Sequence, residues 1–177
     1  MNAVRKYKIL LTLLVLLGIT GCEKDFDKIN TNPNAATEAA TSALLTQAIR
    51  DFAYNDFDVW YAGRHATLVC QHFSQRNYTS EDRYGFRSGT TDGFFRNNYI
   101  YMTNLQKIID LNTDPKTKEQ YANLYGDNNM QIAVAEIVKC WAFQLVTDYF
   151  GDVPYTQALD IKKYPQPVYD TQKSIYD

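Results

Sequence analysis

Histidine and cysteine are scarce in this chain: its 177 residues include two of the first and three of the second. His65 and His72 are seven residues apart, which on a helix is about 10 Å of rise, too far to share one metal ion. The sequence also has no glycine-rich phosphate loop and no calcium-binding loop. Acidic pairs such as Asp148 and Asp152 fit surface or capping roles better than the acid–base chemistry of a glycosidase. We therefore predict no enzymatic activity, no metal site and no cofactor.

Blocks of basic residues are missing as well. The chain has 18 lysines and arginines against 20 aspartates and glutamates, a formal net charge of −2. Three of the basic residues, Arg5, Lys6 and Lys8, lie ahead of Cys22, so the rest of the chain is acidic. Because no basic stripe is left to contact a phosphate backbone, the composition argues against nucleic acid as a partner.

The N-terminal apolar run is too short to span a membrane. Ile9–Ile19 has about 11 residues and, at about 1.5 Å per residue, cannot cross a bilayer core of about 30 Å. Basic residues precede this run and Thr20, Gly21 and Cys22 follow it. This arrangement is typical of a secretory signal peptide, in which small residues come just before the cleavage site.

A cysteine directly after Ile-Thr-Gly has the lipobox arrangement of bacterial lipoproteins. We predict that residues 1–21 are a lipoprotein signal peptide and that Cys22 is lipidated, with acyl chains such as palmitate holding the mature N-terminus on a membrane. The alternative is an ordinary signal peptide followed by a chance cysteine. Residues 22–34 are polar, rich in turn formers and without a helical period, so they predict a tether to a domain over residues 35–177.

Aromatic residues are abundant, with 14 tyrosines and nine phenylalanines. Such rings fill cores, and tyrosine also suits surfaces that stack on planar or sugar-like ligands. With 45% hydrophobic and 21% charged residues, the chain can build a packed core. Cys70 and Cys140 lie in apolar helical patterns, which leaves two alternatives open: a disulfide in an exported protein, or two buried thiols that act as small hydrophobic residues.

Apolar residues recur with a helical period along most of the domain, which predicts an all-α fold. The fourth long helix is apolar on most sides, so we expect it to be the most buried element, with Gly151 at its end. Trp60 and Trp141 are expected in the core. The final helix is short and has no terminator, so we expect the chain to continue beyond it. The predicted helices cover residues 35–54, 57–77, 91–112, 116–125, 129–150 and 170–177.

One segment, residues 78–90, interrupts these helices. It combines two glycines, charges of both signs and three aromatic rings, and it has no helical period. We predict an exposed loop, of a length that is uncommon without a functional reason. Arg83, Tyr84, Phe86 and Arg87 are its candidate ligand-binding residues, because tyrosine and arginine are frequent at recognition surfaces. The alternative is that the rings fold back onto the third helix and complete the core.

Three stretches of the sequence resemble the SusD/RagB family of nutrient-binding outer-membrane lipoproteins. Residues 145–159, which read LVTDYFGDVPYTQAL, are similar to the hallmark segment of that family. Tyr164-Pro165, Tyr169-Asp170, Gln172 and Ile175-Tyr176 resemble its next landmark. Residues 71–84 are similar to the SusD-like branch described as nutrient-binding.

The resemblance implies a helical protein built on tetratricopeptide-like helix pairs, of which this chain is an N-terminal portion. It implies a lipoprotein on the outer face of the outer membrane that captures glycans or oligosaccharides, in some members peptides. The captured nutrient passes to a SusC-like TonB-dependent transporter, over which the protein acts as a lid. Glu23, Asp25 and Asp27 are similar to the family's export signal, and Cys22 is the functional residue that carries over.

Two alternatives to nutrient capture stay open at this point. A tetratricopeptide-like scaffold on the outer membrane would bind proteins and no small-molecule ligand. A surface glycoside hydrolase would turn glycans over.

Overall fold

The computed structural model describes residues 7–8, 38–57 and 61–177. Contacts divide the chain into two compact units, Met1–Glu38 and Ala39–Asp177. The predicted signal peptide (apart from residues 7–8, which are helical), the lipidated Cys22 and the tether over residues 22–34 lie outside the described residues. So does the expected core position of Trp60. All of these stay predictions.

The unit Ala39–Asp177 is helical, and its all-α class is confirmed. Extended pairing among the described residues is limited to one antiparallel bridge between Val153 and Asp170. A π-helical turn, Tyr61–Ala66, leads into the short α2, and a 3₁₀ turn, Glu81–Arg83, precedes α3. The α-helices are α1 (Thr41–Asp56), α2 (Thr67–Val69), α3 (Ser88–Thr113), α4 (Lys118–Tyr125), α5 (Asn128–Phe150) and α6 (Gln172–Tyr176).

Helices α1, α3 and α5 build the core, because each presents apolar residues on one face at helical spacing. Phe52 of α1, 1% exposed, contributes about 1.5–3 kcal/mol by burial alone. At the end of α1, Asn55 Oδ1 accepts from Nδ2 of Asn97 near the start of α3 at 3.1 Å. α3 therefore runs antiparallel to α1. The buried core residues are Ala48, Phe52, Met102, Leu105, Ile108, Ala135, Ala142 and Phe143.

A polar network closes one end of this bundle. Thr41 Oγ1 donates to Gln131 Oε1 at 2.6 Å, which joins the starts of α1 and α5. Asn128 Nδ2 donates to Asn112 Oδ1 at 2.6 Å, which joins the start of α5 to the end of α3. α5 therefore runs antiparallel to α3. Buried side-chain amides cost free energy unless they are paired, so these bonds also specify the helix register.

Aromatic rings close the opposite end. Tyr61 stacks on Phe94 with ring centroids 3.9 Å apart, and Tyr149 meets the edges of both rings at 5.3 and 5.1 Å. Phe95 packs edge to face on Phe150 at 5.1 Å. Burial, and then the nearby Tyr149, raise the pKa of the Tyr61 hydroxyl. Much of the aromatic surplus is thus used to join the start of α3 to the end of α5.

Two expectations about the helices are wrong. The second helix does not continue to residue 77, because it ends at Cys70 and Phe73 is exposed. α5 is not the most buried element: it buries one face, while Ile137 is 69% exposed and Trp141 lies in a surface groove beside Phe57, the residue that follows α1. By length and composition alone α5 is apolar enough to cross a membrane, a test that core helices also pass.

The ends of α5 follow side-chain chemistry closely. Asp127 caps its start by accepting from the backbone N–H of Met130 at 3.1 Å. Gly151 ends the helix with φ 76° and ψ −118°, a backbone region that residues with a Cβ rarely enter. The expected glycine stop is therefore present.

The two cysteines of the domain are free thiols. Cys70 and Cys140 are both exposed, and neither forms a disulfide. Both alternatives considered for them, a bridge and burial in the core, are therefore wrong. Cys140 lies on the solvent side of α5, and Cys70 lies where α2 ends. An apolar pattern reveals neither position.

Candidate ligand-binding surface

The loop between α2 and α3 covers residues 70–87, and we call it the aromatic loop. It starts earlier than expected because α2 is short, and it ends earlier because α3 begins at Ser88. Gln71, Tyr78 and Tyr84 adopt positive φ angles of 58°, 58° and 57°. Residues other than glycine rarely adopt this backbone conformation, which costs about 1–3 kcal/mol for each residue. Such residues cluster at functional sites.

Glu81 holds the aromatic loop from inside. Its side chain is only 5% exposed, with Oε1 3.0 Å from Arg87 Nε and Oε2 3.7 Å from Arg64 Nη2. Gln75, in the amide orientation that satisfies its neighbours, donates to Glu81 Oε2 at 3.1 Å and accepts from Arg64 Nε at 3.0 Å. A buried carboxylate is tolerated when it is paired in this way. Glu81 therefore links the π-helical turn, the loop and the start of α3.

Backbone contacts fix the rest of the aromatic loop. Asp82 Oδ2 accepts from the backbone N–H of Gln75 at 2.5 Å. The N–H of Gly85 donates to the carbonyl of Ser80 at 2.7 Å. A Cβ at Gly85 would lie 2.9 Å from that carbonyl oxygen, so this close approach requires glycine.

The rings of the aromatic loop lie at the surface. Phe86 is 61% and Tyr84 is 51% exposed, and Phe73 and Tyr78 are also exposed. Phe86 contacts the half-buried His65, with ring centroids 5.3 Å apart, and Tyr84 Oη accepts from Gln71 Nε2 at 3.0 Å. The rings of Tyr84 and Phe86 therefore do not complete the core. His65 and Gln71 contact them, and most of each ring stays exposed to solvent.

The two candidate arginines differ in position. Arg83 is exposed at the end of the 3₁₀ turn. Arg87 is half-exposed, and its Nε faces Glu81, so part of its guanidinium already has a structural role. The structure thus brings Arg87 to the buried support of the loop and leaves Arg83, Tyr84 and Phe86 on its surface. Their contact with a ligand stays a prediction.

Sequence reasoning missed Glu81 as the support of this surface and Phe73 as one of its exposed rings. The available signal for Glu81 was an acidic pair, Glu81-Asp82, between several arginines. The structure gathers no group of three or more potential metal ligands among the residues it describes.

The two stretches that resemble family landmarks bind each other. Asp170 Oδ2 accepts from the backbone N–H groups of Tyr155 and Thr156 at 2.9 and 2.8 Å. The backbone N–H of Thr156, and after it that of Tyr155, hold the pKa of Asp170 below its usual value. Val153, fully buried, exchanges two backbone hydrogen bonds with Asp170 at 3.1 and 3.0 Å. The two stretches thus form one framework at the end of α5.

Side chains of α6 complete this framework. Gln172 Nε2 donates to the carbonyl of Thr147 at 2.9 Å, which satisfies an acceptor in the last turn of α5. Tyr176 Oη donates to Asp148 Oδ1 at 2.6 Å. These contacts give Gln172 and Tyr176 of the second landmark a structural role.

Comparison with known proteins agrees with this arrangement. The SusD-like family model described as "Starch-binding associating with outer membrane" matches residues 33–177. No curated protein and no solved structure matches the chain. This description of the family names starch binding and association with the outer membrane. Since the match covers the whole helical unit, the chain belongs to the SusD-like family of starch-binding proteins that associate with the outer membrane.

Proposed function

We propose that this protein is a surface-exposed outer-membrane lipoprotein that captures a glycan nutrient on the aromatic loop and delivers it to a SusC-like TonB-dependent transporter. Oligosaccharides are the favoured class of ligand, and peptides are the second class. It includes no catalytic step. The observation that carries it is the family match over residues 33–177, together with a loop whose aromatic rings are fixed in place and exposed.

The geometry of the loop supports capture by stacking. Sugar rings have apolar faces and polar rims, which match an aromatic face next to hydrogen-bond donors. Tyr84 and Phe86 provide the faces, and the exposed Arg83 provides donors. Because Glu81 holds the loop before a ligand arrives, binding loses little conformational entropy.

Glycan binding is testable with the full-length protein. We expect affinity for starch oligosaccharides in calorimetric titrations and in native gels that contain polysaccharide. Replacing Tyr84 and Phe86 together by alanine should weaken binding about tenfold or more. Tyr125→Ala, at the opposite end of the bundle, is the matched control and should bind like wild type. Equal binding by the loop variant would contradict a role for the aromatic loop.

The same titrations separate the alternatives. A tetratricopeptide-like scaffold without a small-molecule ligand would bind neither oligosaccharides nor peptides, while it would still co-purify with outer-membrane proteins. A preference for peptides over all glycans tested would replace the glycan assignment. Release of shorter sugars from a bound oligosaccharide would indicate a hydrolase.

Membrane attachment through Cys22 has its own test. We expect Cys22→Ala, or inhibition of the lipoprotein signal peptidase, to release the protein from the outer membrane. Protease added to intact cells should degrade the wild-type protein if it faces outward. A Cys22→Ala variant that still fractionates with the outer membrane would contradict the lipid anchor.

Delivery to a transporter predicts a stable complex. Affinity purification from mild detergent should recover a SusC-like TonB-dependent transporter together with the full-length protein. Recovery of the protein alone, under conditions that preserve other outer-membrane complexes, would contradict this part of the proposal.

A further inference from the structure

A cleft of about 670 Å³ opens beside the first turns of α3. Its walls come from the start of α3, the end of α5 and the chain just before α6. Small-molecule sites typically have volumes of about 300–1,000 Å³. The cleft begins at Gly89, two residues after Arg87, so its edge lies at most about 7 Å of chain from the aromatic loop.

Three aromatic residues line this cleft: Phe95, Phe150 and Tyr169. Phe95 and Phe150 hold each other edge to face, so their positions are set before any ligand binds. Tyr169 is 66% exposed, while its backbone is fixed by the bonds of the adjacent Asp170. A ring that is exposed on a fixed backbone presents its face to a ligand at a small entropic cost.

Three charged residues also line the cleft: Asp92, Arg96 and Asp152. Carboxylates accept hydrogen bonds and a guanidinium donates them, and a sugar hydroxyl does both. Asp152 is held in place because its Oδ1 accepts from the backbone N–H of Gln172 at 3.0 Å. Two carboxylates against one guanidinium give the cleft a negative formal charge, which disfavours acidic, sulfated or phosphorylated ligands. The combination suits a neutral sugar.

Gly93 lies in the wall of the cleft and adds no side chain to it. It lies inside α3, where glycine costs about 1 kcal/mol relative to alanine. Its φ angle is not in the left-handed region, and a Cβ built on it meets no atom within 4 Å. Neither backbone conformation nor internal packing therefore requires glycine here. Gly93 lines the cleft, and a Cβ added to it would extend into open space.

We infer that this cleft is a second contact site for a neutral glucan chain of the starch type, which continues into it from the aromatic loop. The inference rests on the proposed glycan-binding function. The loop holds some sugar units of the chain. The units beyond them stack on Tyr169 and form hydrogen bonds with Asp92, Arg96 and Asp152.

Chain length is the variable that tests this inference. Titrations of the full-length protein with maltotriose and maltoheptaose should show tighter binding of the longer probe, because it reaches both sites. Tyr169→Ala should weaken maltoheptaose binding about tenfold and remove the advantage of the longer chain. Tyr125→Ala is again the control and should retain that advantage.

Gly93→Ala provides a second test with opposite signs for folding and binding. The thermal midpoint should rise, because alanine is the better helix former and its methyl group meets no clash. Maltoheptaose binding should weaken about fivefold, because the methyl group enters the cleft. Higher stability with unchanged binding would overturn the inference.

The outcomes separate the two proposals. Wild-type binding of maltoheptaose that depends on Tyr84 and Phe86, but not on Tyr169 or Gly93, overturns the cleft and leaves the proposed function intact. Absence of maltoheptaose binding by the wild-type protein overturns both for starch-type glucans. Loss of the length advantage in Tyr169→Ala, together with weakened binding in Gly93→Ala, supports the cleft.

Discussion

The Oε1 of Glu81 lies 3.0 Å from the Nε of Arg87, so a carboxylate that is 5% exposed is paired with the last residue of the aromatic loop. We expect Glu81→Gln to lower the free energy of unfolding by about 2 kcal/mol, because Arg87 and Arg64 both lose a charged partner. It should also loosen the loop. Urea denaturation measures the first effect, and the rate of trypsin cleavage after Arg83 measures the second.

Glu136→Gln is the matched control for this prediction. Glu136 is exposed on α5, and an exposed substitution of this kind changes stability by about 0.5 kcal/mol at most. If Glu81→Gln were as stable and as resistant to trypsin as the control, Glu81 would not be the support of the loop.

Asp170 is the second carboxylate on which a prediction rests. Asp170→Ala removes the acceptor of two backbone N–H groups, and we expect a loss of about 1 kcal/mol, kept small by solvent screening. Asp170→Asn keeps one acceptor oxygen and should lose less. Thermal unfolding of the three proteins at neutral pH gives this order, and an equal loss in both variants would contradict it.

The contribution of Asp170 also depends on pH. Its pKa in the folded protein is lower than the usual value of 3.8. Its stabilisation is therefore present above about pH 4 and is lost as the pH falls through the lowered pKa. We expect the difference in unfolding free energy between wild type and Asp170→Asn to shrink below pH 4. A constant difference down to pH 2 would show that the charge of Asp170 has no effect.

Tyr99 gives the opposite dependence. Its hydroxyl donates to the carbonyl of Pro154 at 2.6 Å, and burial, followed by the nearby Tyr169 and Asp170, raises its pKa. A raised pKa gives stabilisation that is present below about pH 10 and is lost as the pH rises further. Tyr99→Phe should cost about 1 kcal/mol at pH 7. Above pH 10 it should lose stability less steeply than wild type, as measured by chemical denaturation at each pH.

Gly151 is the position where alanine should destabilise the fold. Its φ of 76° with ψ of −118° lies outside the regions open to residues with a Cβ, so Gly151→Ala should cost about 1–3 kcal/mol. Gly93→Ala is the matched control, since the same chemical change in α3 should be stabilising. Urea denaturation of both variants tests the contrast, and the same sign of change in both would contradict it.

The thiols of Cys70 and Cys140 should react without denaturant. Both are exposed and unpaired, so Ellman's reagent should detect two thiols in a native protein whose Cys22 is lipidated or replaced by alanine. Adding denaturant should not raise the count. A count of zero that rises after reduction would reveal a disulfide.

Sequence reasoning located the long helices well because their signals are local. The apolar period and the glycine at 151 placed the ends of α3 and α5 to within a few residues. The predicted extent of the second helix was wrong. Apolar residues from Val59 to Phe73 recur with a helical period, but the chain leaves the helix at Cys70. The chain turns at Gln71, which has a positive φ angle. Because glycine is the residue usually found in this conformation, a glutamine there gives no local signal of the turn.

The burial of α5 was overestimated for a related reason. Hydrophobicity on most sides of a helix predicts burial only if enough partners pack around it. Here α1 and α3 cover one face, so Trp141 and Ile137 remain on the surface. The packing of helices distant in sequence is a tertiary property that a periodicity count does not contain.

The candidate loop was found from its composition, but its support and its neighbouring cleft were not. The cleft joins residues near 92, 152 and 169, which become neighbours only when α3 and α5 pack antiparallel. Glu81 likewise acquires its role only when Arg64, on the π-helical turn, meets the loop. Single residues whose role depends on long-range contacts carry no spacing signal.

The segment after α5 has neither helix nor strand, yet its amide hydrogens are tied down. Those of Val153, Tyr155 and Thr156 all donate to Asp170, through its backbone carbonyl or its carboxylate. Hydrogen–deuterium exchange should therefore be slow across this irregular stretch, at rates normally seen inside helices. An exchange map would therefore group residues 153–156 with the rigid part of the protein, although they lie outside helices and strands.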